Sequence, residues 1–166
     1  MLQRLLQILT NRFSAAVIAI ATCVFLFTLW QPRRQVMLHQ AHMIEAFSDR
    51  KFERAAEFFA PGFQDRWGHD RETVIRESRE ILRNFLFLDI RQEEPACELN
   101  GKEARVETLI RISGRGSPIA DYAMQTINNL DEPFAFTWRR SGPWPWQWEL
   151  TTVDHPKLSL DRPGGF

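Results

Sequence analysis

Apolar and polar positions along this chain follow three successive rhythms, and each predicts a different kind of element. From Phe13 to Trp30 there is no charge at all, in the run FSAAVIAIATCVFLFTLW. A helix over that run rises about 27 Å, close to the hydrocarbon thickness of a bilayer. Trp30 stands where an interfacial aromatic belongs. The run ends LFTLWQP, without the small residues of a cleavage site, so an uncleaved anchor is expected rather than a removed signal peptide.

After Gln31-Pro32 the period becomes 3.6. Val36, Met43 and Phe47 share one face of a helix predicted over 35–48. Ser48 or Asp49 is placed to cap a second helix, in which Phe52, Ala55, Ala56 and Phe59 fall at i, i+3, i+4 and i+7 before Pro61-Gly62 ends it. Asp70 is a suitable N-cap for a third, whose buried stripe is Val74, Ser78, Ile81, Leu82 and Phe85.

From there the period drops to 2. Residues 86–92 read as a strand, Asn100-Gly101 as a hairpin turn, and Ala104, Val106, Thr108, Ile110 and Ile112 as the buried side of an antiparallel strand. Residues 113–118 are expected to form a Gly-rich loop, and 119–130 fits a helix or an irregular strand. Phe134, Phe136 and Trp138 alternate again, as do Trp144, Trp146, Trp148 and Leu150. Helices grouped before antiparallel strands indicate an α+β domain with helices on one face of a curved sheet. The organisation is therefore a tail and anchor over 1–32, one domain over 33–158, and a loose tail over 159–166.

Charge is balanced overall at 21 basic and 21 acidic residues; setting aside Arg4 and Arg12 leaves 19 against 21 after the anchor. That near-neutral domain lacks the basic stripe a nucleic-acid binder needs. Cys23 and Cys97 lie on opposite sides of the anchor's end, so no disulfide framework is expected. His39 and His42 are three apart on a helix, but no third ligand accompanies them, and neither metal nor cofactor is indicated. Basic residues flank the anchor on both sides, and the short N-terminal tail with Arg4 and Arg12 favours a single-pass membrane protein with its domain outside the cytoplasm.

The segments AFSDRKFERAAEFFAPGF, FLFLDIRQEE, ARVETLIRI and FAFTWRRSGPWPWQWELTTVDHP resemble, in order and wording, the NTF2-like superfamily, which includes SnoaL-like and ketosteroid-isomerase-like proteins. The resemblance runs from Val36 to Pro156. It implies a cone of three helices wrapped by a bent sheet, often open at one end to an apolar pocket, and pairing through the sheets. In the isomerase branch a general-base aspartate would fall near Asp65 and an oxyanion-donating tyrosine near Met43, which has no proton to give.

The candidate chemistry is sparse. Asp65, Trp67, His69 and Asp70 crowd one loop, where Asp65 or His69 could serve as a base at the cone mouth. Arg66 and Arg71 flank the acid and favour an ionised, solvated, structural role instead. Tyr122 could close a pocket. Trp67 and the row Trp144, Trp146 and Trp148 are candidate ligand contacts, or simply the sheet's core. The resulting expectation is a membrane-tethered, non-catalytic domain that contacts lipid through Phe13 to Trp30 and assembles with a protein partner or a second copy. The alternative is a SnoaL-like enzyme or carrier for a small apolar molecule.

Overall fold

The computed structural model describes residues 17–25 and 30–158. Residues 17–25 are helical (α1) with every side chain exposed. The remainder of the predicted anchor, 13–16 and 26–29, lies outside the described residues, as does the predicted loose tail from 159 onward. Among the described residues no helix is long and apolar enough to cross a membrane.

Helix α2 spans Pro32–Ser48, three residues earlier than predicted. Pro32 opens the helix rather than only ending the run before it, because a first-turn residue needs no N–H partner. The helix buries Val36, Gln40, Met43 and Ile44, with Phe47 half-buried. Helix α3 is short, Phe52–Ala56. Neither predicted cap is used. Arg50 takes a left-handed φ of 58° and reverses the chain, which turns Ser48 toward the sheet, where its Oγ accepts from Ile90 N at 3.1 Å. Asp49 instead ends α2 and pairs with Lys51 at 2.7 Å.

Helix α4 spans Arg71–Leu82, and Asp70 Oδ1 accepts its Thr73 N at 2.8 Å. That bond, the largest cause, holds the Asp70 carboxyl below its ordinary range. A depressed folded value means the cap stabilises at neutral pH and is lost as pH falls below about 4. Asp70→Ala is thus expected to lower the thermal midpoint at pH 7 and to matter progressively less as the pH falls below about 4. An equal loss throughout that range would show that the cap's charge is irrelevant.

Four antiparallel strands follow in spatial order β1-β2-β3-β4: β1 Phe85–Asn100, β2 Glu103–Gly116, β3 Phe134–Arg140 and β4 Trp148–Asp154. β1 is far longer than the predicted 86–92. It accommodates Pro95 because it is an edge strand, and it bulges where Glu94 takes φ 49° and the pairing slips between Glu93 and Ala96. The β2 and β3 alternations match prediction: Ala104, Val106, Thr108 and Ile112 are buried on one, Phe134, Phe136 and Trp138 on the other.

The expected Gly-rich loop at 113–118 is instead the end of β2. Gly114 and Gly116 are there for close approach: a Cβ on Gly116 would run into the Asn84 carbonyl oxygen and lie 2.7 Å from Ala120 Cβ. Gly116→Ala is expected to cost about 1–3 kcal/mol or more, read as a drop in denaturation midpoint. An unchanged midpoint would mean that β2 does not continue that far.

Residues 119–130 resolve as a helix, α5, spanning Pro118–Asn128. The Asn128 side chain brackets Ile112 like a strand partner. Its Oδ1 accepts from Ile112 N at 2.8 Å and its Nδ2 donates to Ile112 O at 2.7 Å.

Helix α2 runs antiparallel to β1. Its last residue meets Ile90, and Arg33 near its start acts on Cys97. Fifteen helical residues and seven strand residues both cover about 23 Å, so the two elements stay in register along their lengths.

Candidate binding cavity

Helix α4 contributes few apolar side chains, and its predicted stripe is only partly covered. Leu82 is buried, Val74 and Ser78 are half-buried, and Ile81, predicted to be buried, is 42% exposed. The reason is that α4 stands off the concave face of the sheet. Between them lies a cavity of about 330 Å³. Ile90, Ile110 and Ile112 line it from the sheet, Met43 and Phe47 from α2, and Ile127 from α5. Ile81, Ser78 and Glu77 line its α4 side.

Polar groups reach this cavity mainly through the 60–70 loop, which is laid along β4. Ala60 N donates to Leu150 O, Gln64 N to Thr151 O and Arg66 N to Val153 O, so the loop covers what would otherwise be an open sheet edge. Asp65, Trp67 and His69 all line the cavity from this loop.

Asp65 is 8% exposed, which corrects the expectation of a solvated acid. Its Oδ1 accepts two backbone bonds, from Trp67 N at 2.9 Å and His69 N at 2.7 Å. Its Oδ2 lies 2.9 Å from His69 Nδ1. A carboxylate only accepts, so the imidazole must donate from Nδ1, and in the neutral ring Nε2 then carries the lone pair. Among the described residues no protein group bonds Nε2. Asp65 is thus fully engaged in holding the loop and the ring, and His69 is the group left to act on a ligand.

Trp67 is fixed by its Nε1, which donates to Leu158 O at 2.9 Å. Leu158 is held in turn by His155, a residue for which the sequence offered no signal beyond its type. His155 is fully buried; its Nε2 donates to Glu132 O at 2.9 Å, and its Nδ1 accepts from Leu158 N at 2.9 Å and Lys157 N at 3.1 Å.

Other candidates fall elsewhere. Tyr122 is 72% exposed and does not line the cavity. The Trp row does not lie on one strand, because residues 141–147 form a turn and β4 begins only at Trp148. Pro143 and Pro145 cannot donate to a ladder, which is why the strand starts late. Trp148 is buried in the core; Trp144 and Trp146 are about half exposed and stack on each other at 5.3 Å. His39 is half-buried against Phe58 and Trp138. Among the described residues no cluster of three potential metal ligands occurs. Cys97 is buried, and that burial pushes its thiol up, away from nucleophilic use.

The arrangement of helices on a four-stranded antiparallel sheet is shared with solved structures. A protein from Streptomyces avermitilis, a candidate dehydratase of the NTF2-like family, aligns with TM-score 0.53 and 19% identity over 74% of this chain and 93% of its own. An NTF2-like protein of unknown function from Pseudomonas putida KT2440 aligns with TM-score 0.54 and 11% identity over 73% and 82%. This chain has the NTF2-like fold. Bd1075 of Bdellovibrio bacteriovorus also aligns, with TM-score 0.56 and 11% identity over 73% of this chain, which spans 38% of that protein. No protein-family model and no curated protein matches the sequence. At these identities the likeness is one of fold, and function has to come from the cavity of this NTF2-like domain.

Proposed function

We propose that this chain is a membrane-tethered NTF2-like binding module whose cone holds a small, mainly apolar molecule. The observation that carries the proposal is the cavity itself, lined mostly by Ile, Phe, Met and Val side chains, with His69, oriented by Asp65, among its few polar groups. Sites of this size and composition take ligands whose bulk is apolar and whose orientation is set by one or two polar contacts. A ligand with one N–H or O–H donor satisfies His69 and leaves the remaining wall to apolar contact.

Binding is favoured over catalysis for a specific reason. A base that removes a proton needs a donor to stabilise the charge created. Met43 stands in the cavity where a tyrosine would supply one, and Trp67 Nε1 is committed to Leu158. The tether is inferred from the uncharged stretch Phe13–Trp30 and from the described helical residues 17–25, all of which are exposed.

The test is a titration of the detergent-solubilised chain with an uncharged naphthalene-type fluorophore. Saturable binding is expected, weakened about tenfold or more by Ser78→Trp, which fills the cavity from α4. Equal affinity in the two proteins would remove the cavity from consideration.

An assembly role is a second possibility, and one corner of the fold favours it. Leu86 is 84% and Phe87 65% exposed on edge strand β1, whereas the outer sheet face is covered by ion pairs such as Arg111–Glu93 and Arg105–Glu107. If a second copy pairs there, Phe87→Lys lowers the sedimentation-derived mass in detergent. An unchanged monomer would exclude that contact.

A further inference from the structure

We propose that the stacked pair Trp144 and Trp146 rests in the headgroup region of the bilayer, so that this end of the cone sits directly on the membrane surface. The inference builds on the tether, and it concerns the posture of the domain, which the tether alone leaves free.

Strand registers place the pair. Glu103 pairs with Arg139 and Ala104 with Trp138, so the β1–β2 turn at Gly101 and the β3–β4 turn lie at the same end of the sheet. Arg140 N donates to Lys102 O at 2.8 Å and ties the two turns together. Helix α2 begins at that end too: Arg33 acts on Cys97, three residues before the end of β1, and Gln40, two turns further along the helix, accepts from Trp138 Nε1 at 3.0 Å. The chain therefore enters the domain from its uncharged stretch at the end that carries Trp144 and Trp146. Trp30 is only two residues before Pro32, at most about 7 Å of chain, so that end cannot stand far from a bilayer spanned by the preceding residues.

The turn is built to present its rings. Gln147 Oε1 accepts from Trp144 N at 3.0 Å, Gln147 N donates to Trp144 O at 3.1 Å, and Trp148 Nε1 donates to Pro145 O at 2.9 Å. Arg140 reaches over to the Pro143 carbonyl. The intervening Pro145 is buried while both rings project, 50% and 52% exposed and within 10° of parallel. Tryptophan, with an apolar body and one N–H, is the side chain favoured at the headgroup level. Leu99, 43% exposed beside the neighbouring turn, extends the apolar surface. Arg33, Arg34 and Lys102 share this end with Glu98 and Glu103. With charge of both signs present, zwitterionic lipid is the matching surface.

The experiment reconstitutes the full chain in phosphatidylcholine vesicles with and without lipids brominated near the headgroup. Trp30→Phe serves as background, removing the tether's own fluorophore. Shallow bromines are expected to quench part of the remaining emission, and Trp144→Phe/Trp146→Phe in that background is expected to abolish the quenching. Flotation with the vesicles is scored separately. A chain that floats but whose Trp144 and Trp146 are not quenched overturns this inference and leaves the tether standing. A chain that does not float overturns both.

Discussion

Trp138→Ala is expected to leave little or no folded domain. Among the described residues Trp138 is the largest fully buried side chain, flanked by His39 of α2 and bonded to Gln40 of the same helix. Truncating a buried aromatic costs about 3–5 kcal/mol, against a total stability of roughly 5–15. The change also removes the only bond of a second buried group. Gln40 is fully buried, its Oε1 accepts from Trp138 Nε1, and its Nε2 already has no partner. Orphaning the oxygen adds about 1–3 kcal/mol. The two effects are separable. Trp138→Phe keeps most of the ring volume but orphans Gln40, and adding Gln40→Leu removes both polar partners at once. The double variant is expected to be more stable than Trp138→Phe alone by urea midpoint. If the second change only deepens the loss, the Gln40 bond is not what Trp138 supplies.

The second large effect falls on the cavity. Asp65→Asn is expected to preserve the fold but invert the hydrogen-bonding sense of His69. Asparagine Oδ1 can still accept from Trp67 N and His69 N, so the loop keeps its two backbone anchors. Its amide then faces His69 Nδ1 with a donor where a carboxylate oxygen now accepts. The neutral ring responds by accepting at Nδ1 and carrying its proton on Nε2. Ligands that offer a donor lose their partner, at about 1–3 kcal/mol or roughly five- to 150-fold in affinity. Ligands that offer a carbonyl gain by comparison. A naphthol and a matched ketone measure the exchange, and the 15N shifts of the ring report the tautomer independently. Asp65→Ala should behave differently, losing stability because the two backbone donors are orphaned in a buried loop. If Asp65→Asn alters neither ligand's affinity nor the ring shifts, His69 is not oriented by Asp65.

Periodicity was a good guide where one face of an element is fully buried. The β2 and β3 alternations and the Asp70 cap are local rules, and nothing in the tertiary structure competes with them. The misses share a different origin. Gly114 and Gly116 look like loop residues, but their small size is required by the close passage of Asn84, Phe85 and Phe87, far away in sequence. Ile81 belongs to a correct helical stripe, yet a stripe cannot say whether the opposing surface touches it or stands away. Trp144 and Trp146 alternate in sequence, but Pro143 and Pro145 keep them from any ladder. At the cavity, the loop carrying Asp65, Trp67 and His69 was legible as a cluster of polar and aromatic residues. Its decisive feature, that Asp65 is consumed by the loop and by Nδ1 of His69, depends on the register of the 60–70 segment along β4. That register is set by long-range backbone bonds, which leave no mark in the local sequence.

The central claim is that the cone interior is the ligand site, and isoleucine methyl NMR on the full chain in nanodiscs tests it most directly. Ile81, Ile90, Ile110 and Ile127 line the cavity, while Ile119, 57% exposed, does not. With a small apolar alcohol as ligand, intermolecular NOEs are predicted to all four cavity methyls and none to Ile119, all lost in Ser78→Trp. NOEs confined to Ile119, or unchanged in Ser78→Trp, would contradict the account.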